Sequence, residues 1–201
     1  MGKAYANRKP EAERNPADFY ETPKSLVWEL QKTGLLEGIK DVWEPACGQH
    51  SISDELKKFG MNVKESDLIT TGEDFFSFMN TGPDYPFDAI ITNPPFSKFD
   101  DFVAQAKQFA PKIFMIGKTN FLGAHSRTKN KTWEHLKYCF VFDRQVEYRT
   151  PHREDGQFHV GCLVTCWYVW DMEWNEDYFM TKTIDVNKYA TLGAFKDGEA
   201  K

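Results

Sequence analysis

The chain has 201 residues, 41% of them hydrophobic, enough to bury one core and too few for a second large folding unit. Its formal net charge is −5, from 30 acidic against 25 basic residues, so the totals carry no strong electrostatic footprint for a polyanion and count against tight nonspecific binding to one. No apolar run reaches membrane-spanning length and no apolar leader opens the chain, so a cytoplasmic protein with no membrane partner is expected. The cysteines, Cys47, Cys139, Cys162 and Cys166, lack CxxC spacing and read as free thiols of a reducing compartment. A metal held by Cys162, Cys166 and His159 is the less favoured alternative, and no metal is expected.

Residues 1–17 mix charge, Ala and Pro without apolar periodicity and read as a flexible arm. Order is expected from Asp18, in a domain spanning 18–172 with 173–201 as an extension of it. Thr22 is placed to cap a helix that runs from Pro23 to about Lys32 and ends at Gly34. Asp41-Val42-Trp43 reads as a first strand. It leads into Glu44-Pro45-Ala46-Cys47-Gly48-Gln49-His50 and then a helical pattern from Ser51 to Phe59. Strand, small-residue turn and helix form the arrangement in which backbone N–H groups approach a nucleotide-like ligand, with a plain strand-to-helix turn as the competing reading. Glu44, at the strand end, stands where it would attract a positively charged ligand group.

Asn62 to Ser66 reads as a second strand with Asp67 at its end, about twenty residues past the small-residue turn, where an acid suits a ribose diol. Asp74-Phe75-Phe76 sets another acid beside aromatics, suited to an adenine amino group and ring, although either Phe could equally be core. Phe87 to Thr92 is a buried strand stopped by two prolines, which delivers Asn93-Pro94-Pro95-Phe96 to its C-terminal edge. The Asn93 amide oxygen and the Pro94 carbonyl are adjacent acceptors for both hydrogens of an –NH2 group, and Phe96 offers a face for a planar ring. The exocyclic amine of adenine is a poor nucleophile because its lone pair is delocalised, and two acceptors favour the localised, attacking form. The bland reading is a Pro-Pro loop with Asn as a turn residue.

Asp100 to Phe109 has helical apolar spacing, and Lys112 to Ile116 reads as another buried strand. Alternating strands and helices imply parallel pairing and an α/β fold. Gly117 to Lys131 reads as a long loop whose Lys118, Arg127, Lys129 and Lys131 are unmatched by nearby acids until Glu134, a local basic face. Trp133 to Tyr138 reads as a short helix. Phe140 to Phe142 and Gln145 to Tyr148 are β-rich, and Leu163 to Trp170 is a long apolar strand, together suggesting a hairpin at the sheet's end. The loop between, Arg149 to His159, carries Arg149 and Arg153 and could touch a substrate. A weak helical signal covers Val186 to Leu192.

Taken in order, these pieces resemble the DNA adenine N6-methyltransferases that use S-adenosylmethionine, especially the small ones encoded by bacteriophages. The resemblance covers roughly Asp18 to Trp170 and implies a Rossmann-like class I methyltransferase fold: a mainly parallel central sheet with a late antiparallel strand and helices on both faces. Asn93 to Phe96 is a full match to the family's [DNS]PP[YFW] pattern and implies Asn93, Pro94, Pro95 and Phe96 as catalytic residues. The implied cofactor site comprises Phe19, Tyr20, Thr22 and Pro23, the loop Glu44, Pro45, Ala46, Cys47 and Gly48, then Asp67, Leu68, Asp74 and Phe75, with Asn93 at its edge. One departure stands out: His50 occupies the position of the family's usual second glycine. The implied partner is duplex DNA with a flipped adenine, contacted by Lys118, Arg127, Lys129, Lys131, Arg149 and Arg153. A homodimer could supply DNA-binding surface, in a bacterial or phage-infected host cell. RNA adenine or a protein glutamine amide as acceptor, and a catalytically silent binding protein, are the rival readings.

Overall fold

The computed structural model describes residues 21–148, 159–160 and 164–186. The arm, Phe19, Tyr20, Arg149, Arg153, Cys162 and nearly all of the 186–192 signal lie outside them, as does the side chain of His159.

Helix α1 (Lys24–Lys32) forms where Leu26, Val27 and Leu30 recur on one stripe, all completely buried, and it stops before Gly34, whose φ of +77° suits glycine. Pro23 is its N-cap and no side chain caps it, so the expected Thr22 cap is corrected: that hydroxyl is used elsewhere. Strand β1 (Asp41–Glu44), helix α2 (Ser51–Lys58) and strand β2 (Asn62–Glu65) follow, then β3 (Ala89–Thr92), α3 (Phe99–Ala106), β4 (Lys112–Lys118), the short α4 (His125–Lys129) and β5 (Leu136–Phe142). A two-stranded antiparallel sheet of β6 (Glu147–Tyr148) and β7 (His159–Val160) precedes β8 (Thr165–Asp171) and β9 (Met180–Ile184).

The main sheet has seven strands in the order β2-β1-β3-β4-β8-β5-β9. The first four are mutually parallel, and β8 runs antiparallel to both β4 and β5. Strand alternation splits the apolar side chains between two layers. Ala89, Ile91, Phe114, Ile116, Trp167 and Val169 face α1 and α2, while Ile90, Ile113, Met115, Tyr168 and Trp170 face α3. Buried indoles tie the layers down. Trp167 Nε1 donates to the Leu26 carbonyl at 3.0 Å, and Trp170 Nε1 to that of Thr132 at 2.9 Å.

Three expectations are corrected. The loop of residues 117–131 is ordered: β4 runs on through Lys118, a 3₁₀ turn spans Thr119–Gly123, and α4 follows. The supposed helix of residues 133–138 is a turn through His135 and strand from Leu136 on. A bulge between Leu136 and Tyr138 puts Leu136 and Cys139 in the same layer, and that three-residue spacing imitates helical periodicity. The expected late antiparallel strand is present as β8, paired with β5, but it does not end the sheet: β8 lies between β4 and β5 and the edge is β9. That edge was illegible because only Ile184 of its five residues is buried.

Gly117 marks the tightest fit near the sheet's C-terminal edge. A Cβ there would meet the rings of Phe99 and Tyr168 at 2.7 and 2.9 Å. Gly117→Ala is therefore expected to lower stability by about 1–3 kcal/mol as an overpacked core site, read as a drop in the urea unfolding midpoint. An unchanged midpoint would mean that Phe99 can move aside.

Candidate functional site at the switch point of the sheet

Chain order reverses between β1 and β3. From β1 the chain crosses through α2 to β2 on one side, and from β3 through α3 to β4 on the other. Open parallel sheets leave a crevice outside the strand ends at such a point. The turns after β1, β2, β3 and β4 all reach this edge, which brings together Glu44–Gly48, Asp67, Asn93–Phe96 and Lys118.

The turn after β1 is held from beneath. Glu44 is 1% exposed and accepts hydrogen bonds from the Ser53 N–H at 2.8 Å and from the Ser53 hydroxyl, so it satisfies the first turn of α2. Burial raises its pKa well above the ordinary carboxylate range, against the lowering effect of the Ser53 bonds. The expectation that Glu44 attracts a ligand cation is thereby modified: its carboxylate is committed to the helix. Pro45 is buried, Ala46 half-buried, and Gly48 takes a φ of +48°. Cys47 is 4% exposed and burial pushes its thiol up to about 11, so it is no nucleophile at neutral pH.

His50 adopts the left-handed region at φ 64° as N-cap of α2, the conformation that explains why a glycine suits this position. Its Nδ1 lies 2.9 Å from Glu65, which also takes Lys57 at 2.8 Å. The ring is thus drawn toward the end of β2. Burial pushes the Glu65 pKa up, but its bonds to Lys57 and His50 outweigh this and hold it low.

Asp67 joins the first two turns. One carboxylate oxygen accepts the Gly48 N–H at 3.2 Å, and the other accepts the N–H groups of Ile69 and Thr70 at 2.8 and 2.9 Å. Leu68 beside it is 62% exposed. Asp74 is exposed and caps a 3₁₀ turn through the Phe76 N–H. Phe75 is 2% exposed, packed on Trp43 at 4.9 Å, so of its two readings the core one holds and an open adenine contact is corrected. Phe76 is the exposed ring of the pair.

Asn93 follows β3 directly. Its amide nitrogen donates to the Thr22 hydroxyl at 3.0 Å, which turns the amide oxygen away from Thr22. Pro94 is buried, Pro95 half-buried, and a 3₁₀ turn from Phe96 to Lys98 leads into α3. The Phe96 ring is half-buried. Phe121 stands edge-on to it at 6.1 Å, and Lys118 Nζ lies 4.9 Å from its centroid.

The basic residues are less available than their sequence neighbourhood implies. Arg127 is salt-bridged to Asp100 at 2.7 Å, its side chain only 16% exposed, and Lys131 meets Glu134 at 3.3 Å. The expectation of an unmatched basic cluster is corrected for Arg127, to which α3 supplies an acid far off in sequence. Lys129 is exposed. Sequence reasoning missed Phe121, which carries no motif and shows its place only through packing. Among the described residues there is no cluster able to hold a metal and no helix long and apolar enough to cross a membrane.

The fold is that of the Rossmann-like class I methyltransferases. The structure is similar to that of a Pyrococcus horikoshii protein provisionally described as an RNA methyltransferase, with a TM-score of 0.53 and 16% identity over 82% of this chain and 90% of that one. More distant are Thermoplasma acidophilum 1320 (TM-score 0.48, 15% identity, 76% of this chain and 84% of that one) and the 23S rRNA methyltransferase ErmE (0.42, 15%, 76% and 69%). At these identities the likeness is one of fold. No protein-family model and no curated protein matches the chain.

Glu44→Gln keeps the acceptor of the buried carboxyl, because both Ser53 bonds fall on one oxygen and the amide oxygen can take its place. A carboxyl whose folded pKa is raised loses stability as pH climbs from its ordinary value, 4.5, toward the folded one. Urea unfolding is expected to show the variant gaining on the parent as pH goes from 4 to 7. A pH-independent difference would show that Glu44 carries no such cost.

Proposed function

We propose that this protein transfers a methyl group from S-adenosylmethionine to the N6 amine of adenine in DNA. The observation that carries the reading is the position of Asn93-Pro94-Pro95-Phe96 at the switch point of the sheet, one strand away from a turn of small residues. The residues there fit a nucleoside. Half-buried Ala46 and the positive φ of Gly48 let backbone approach a ligand closely, and Asp67 Oδ2 keeps a lone pair beyond the one used by the Gly48 N–H. Ala46, Gly48, Asp67 and Leu68 would hold the cofactor, which supplies a methyl group made electrophilic by a sulfonium. Phe19 and Tyr20 belong to the proposal on resemblance alone.

The chain's own contribution is positioning. Thr22 holds the amide of Asn93 by its nitrogen, so Asn93 Oδ1 and the Pro94 carbonyl act as paired acceptors for an incoming –NH2 group. Accepting both hydrogens localises the nitrogen lone pair and directs it toward the small-residue turn. Phe96 supports the plane of the ring. No covalent enzyme intermediate is needed, and the buried, protonated Cys47 offers none. RNA is the second acceptor to test, because the Pyrococcus protein is described as acting on RNA.

The test is transfer of labelled methyl to unmethylated duplex DNA, to RNA and to protein extract. Label on adenine N6 of DNA is expected, with Asn93→Ala lowering kcat by about 10²–10³, the cost of removing a preorganised polar group. Thr22→Val, which removes the hydrogen bond to the Asn93 amide, should lower kcat by less. Label appearing on RNA or protein alone would overturn the DNA assignment. Full activity in Asn93→Ala would overturn the mechanism.

A further inference from the structure

Lys118 is the last residue of β4, at the same edge as the Asn93–Phe96 turn. β4 is the parallel neighbour of β3 with Thr92 opposite Met115, so the chain reaches Lys118 just past the end of β3. Its ammonium lies 4.9 Å from the centre of the Phe96 ring. Three nearby cations carry ion pairs: Arg127 with Asp100 at 2.7 Å, Lys98 with Asp101 at 3.5 Å and Lys131 with Glu134 at 3.3 Å. Among the described residues Lys118 has no carboxylate partner; its recorded contact is the ring.

The ring beneath it is braced. Phe121 stands edge-on to Phe96 at an interplanar angle of 86°, packs on Phe99 at 4.9 Å, and is covered by the Arg127 guanidinium at 4.1 Å. Asp100 anchors that guanidinium. Phe96 is therefore a fixed plate, and the mobile group on it is a flexible point charge with three donors. A cation over a half-buried aromatic ring is held less tightly than one paired with an anion, so the ammonium can be drawn off by an anion that makes a charge-assisted hydrogen bond.

We propose that Lys118 is a specificity-determining residue that contacts the phosphate attached to the planar group stacked at Phe96, while Phe121, clamped by Arg127 and Asp100, is the positioning residue for that ring. This rests on the proposed reading of the Asn93–Phe96 turn. It favours a nucleotide within a polynucleotide over an amide side chain of a protein, since a glutamine brings no anion to meet the charge. Phosphodiester is the chemistry shared by DNA and RNA.

The experiment compares the native chain with Lys118→Met, which keeps the aliphatic stem, and with Lys40→Met, which removes the same charge at the opposite end of β1. Each is assayed for methyl transfer and, by fluorescence anisotropy, for binding to short adenine-containing deoxyribo- and ribo-oligonucleotides; a glutamine peptide is a third acceptor. For Lys118→Met a rise of about tenfold in KM and in oligonucleotide Kd is expected, the worth of one charge-assisted bond. Its salt slope should be shallower by about 0.7–0.9, one phosphate contact. Its kcat should change less than about twofold, and Lys40→Met should match the native chain. Equal losses in both variants, or a fall in kcat alone, would overturn the assignment. Oligonucleotide binding that depends on Lys118 without methyl transfer would uphold it and sink the methyltransferase reading. A native chain that binds neither oligonucleotide, or methylates only the peptide, would overturn it. Transfer to DNA or RNA insensitive to Lys118 would sink the assignment and leave the reaction standing.

Discussion

The parallel pairing of β1 with β3 is the constraint on which the rest of the molecule depends. Val42 aligns with Ala89 and Trp43 with Ile90, and the helices that follow the two strands pack on opposite faces. Two neighbouring strands must then release their chains in opposite directions, which opens a crevice between their ends. Short side chains in the β1 turn and prolines in the β3 turn keep both chains close to that crevice. The layers beneath are aromatic. Trp43 packs edge-on to Phe75 at 4.9 Å and Phe109 at 5.1 Å, while its Nε1 donates to Ser66 at 2.8 Å, so the floor of the site is anchored by both shape and a hydrogen bond.

The site retains costs that a purely stabilising design would avoid. Glu44 is buried as a carboxyl whose ionisation is penalised, and His50 occupies a left-handed conformation that costs a residue other than glycine about 1–2 kcal/mol. Each cost is locally compensated. Glu44 satisfies donors at the start of α2, and His50 gains Glu65. The compensations also hold the turn between β1 and α2, the segment proposed to take the cofactor. A departure from the glycine pattern is thus accommodated by a bond to the next strand, and the side chain does not have to occupy the crevice.

The half of the candidate site around Asn93 is built differently. Asn93 is oriented by Thr22, more than seventy residues earlier in the chain (|i−j| = 71). Phe96 is braced from the far side of β4 by Phe121. Gly117 has no side chain because Phe99, the first residue of α3, and Tyr168 leave no room for one. Substitutions in any of these supports therefore act on the geometry of the turn without touching a substrate.

The sequence by itself determined the alternating strands and helices through Ile116, the α/β class, and the tetrapeptide at a strand end, because period-2 and period-3.6 apolar patterns and proline punctuation are local properties. It also placed Asp67 correctly at the end of β2. Only the tertiary structure decided the late strand order, the roles of Thr22, Glu44 and Phe75, and the fate of the basic cluster. A bulge at Leu136 counterfeited a helix, and β9 carries almost no buried face to announce it. Arg127 looked unmatched because its partner Asp100 lies 27 positions away and meets it only when α3 and α4 pack. Whether a carboxylate faces a ligand or a helix, and whether a ring lies open or buried, depends on which elements end beside it in space. A linear pattern holds no term for that.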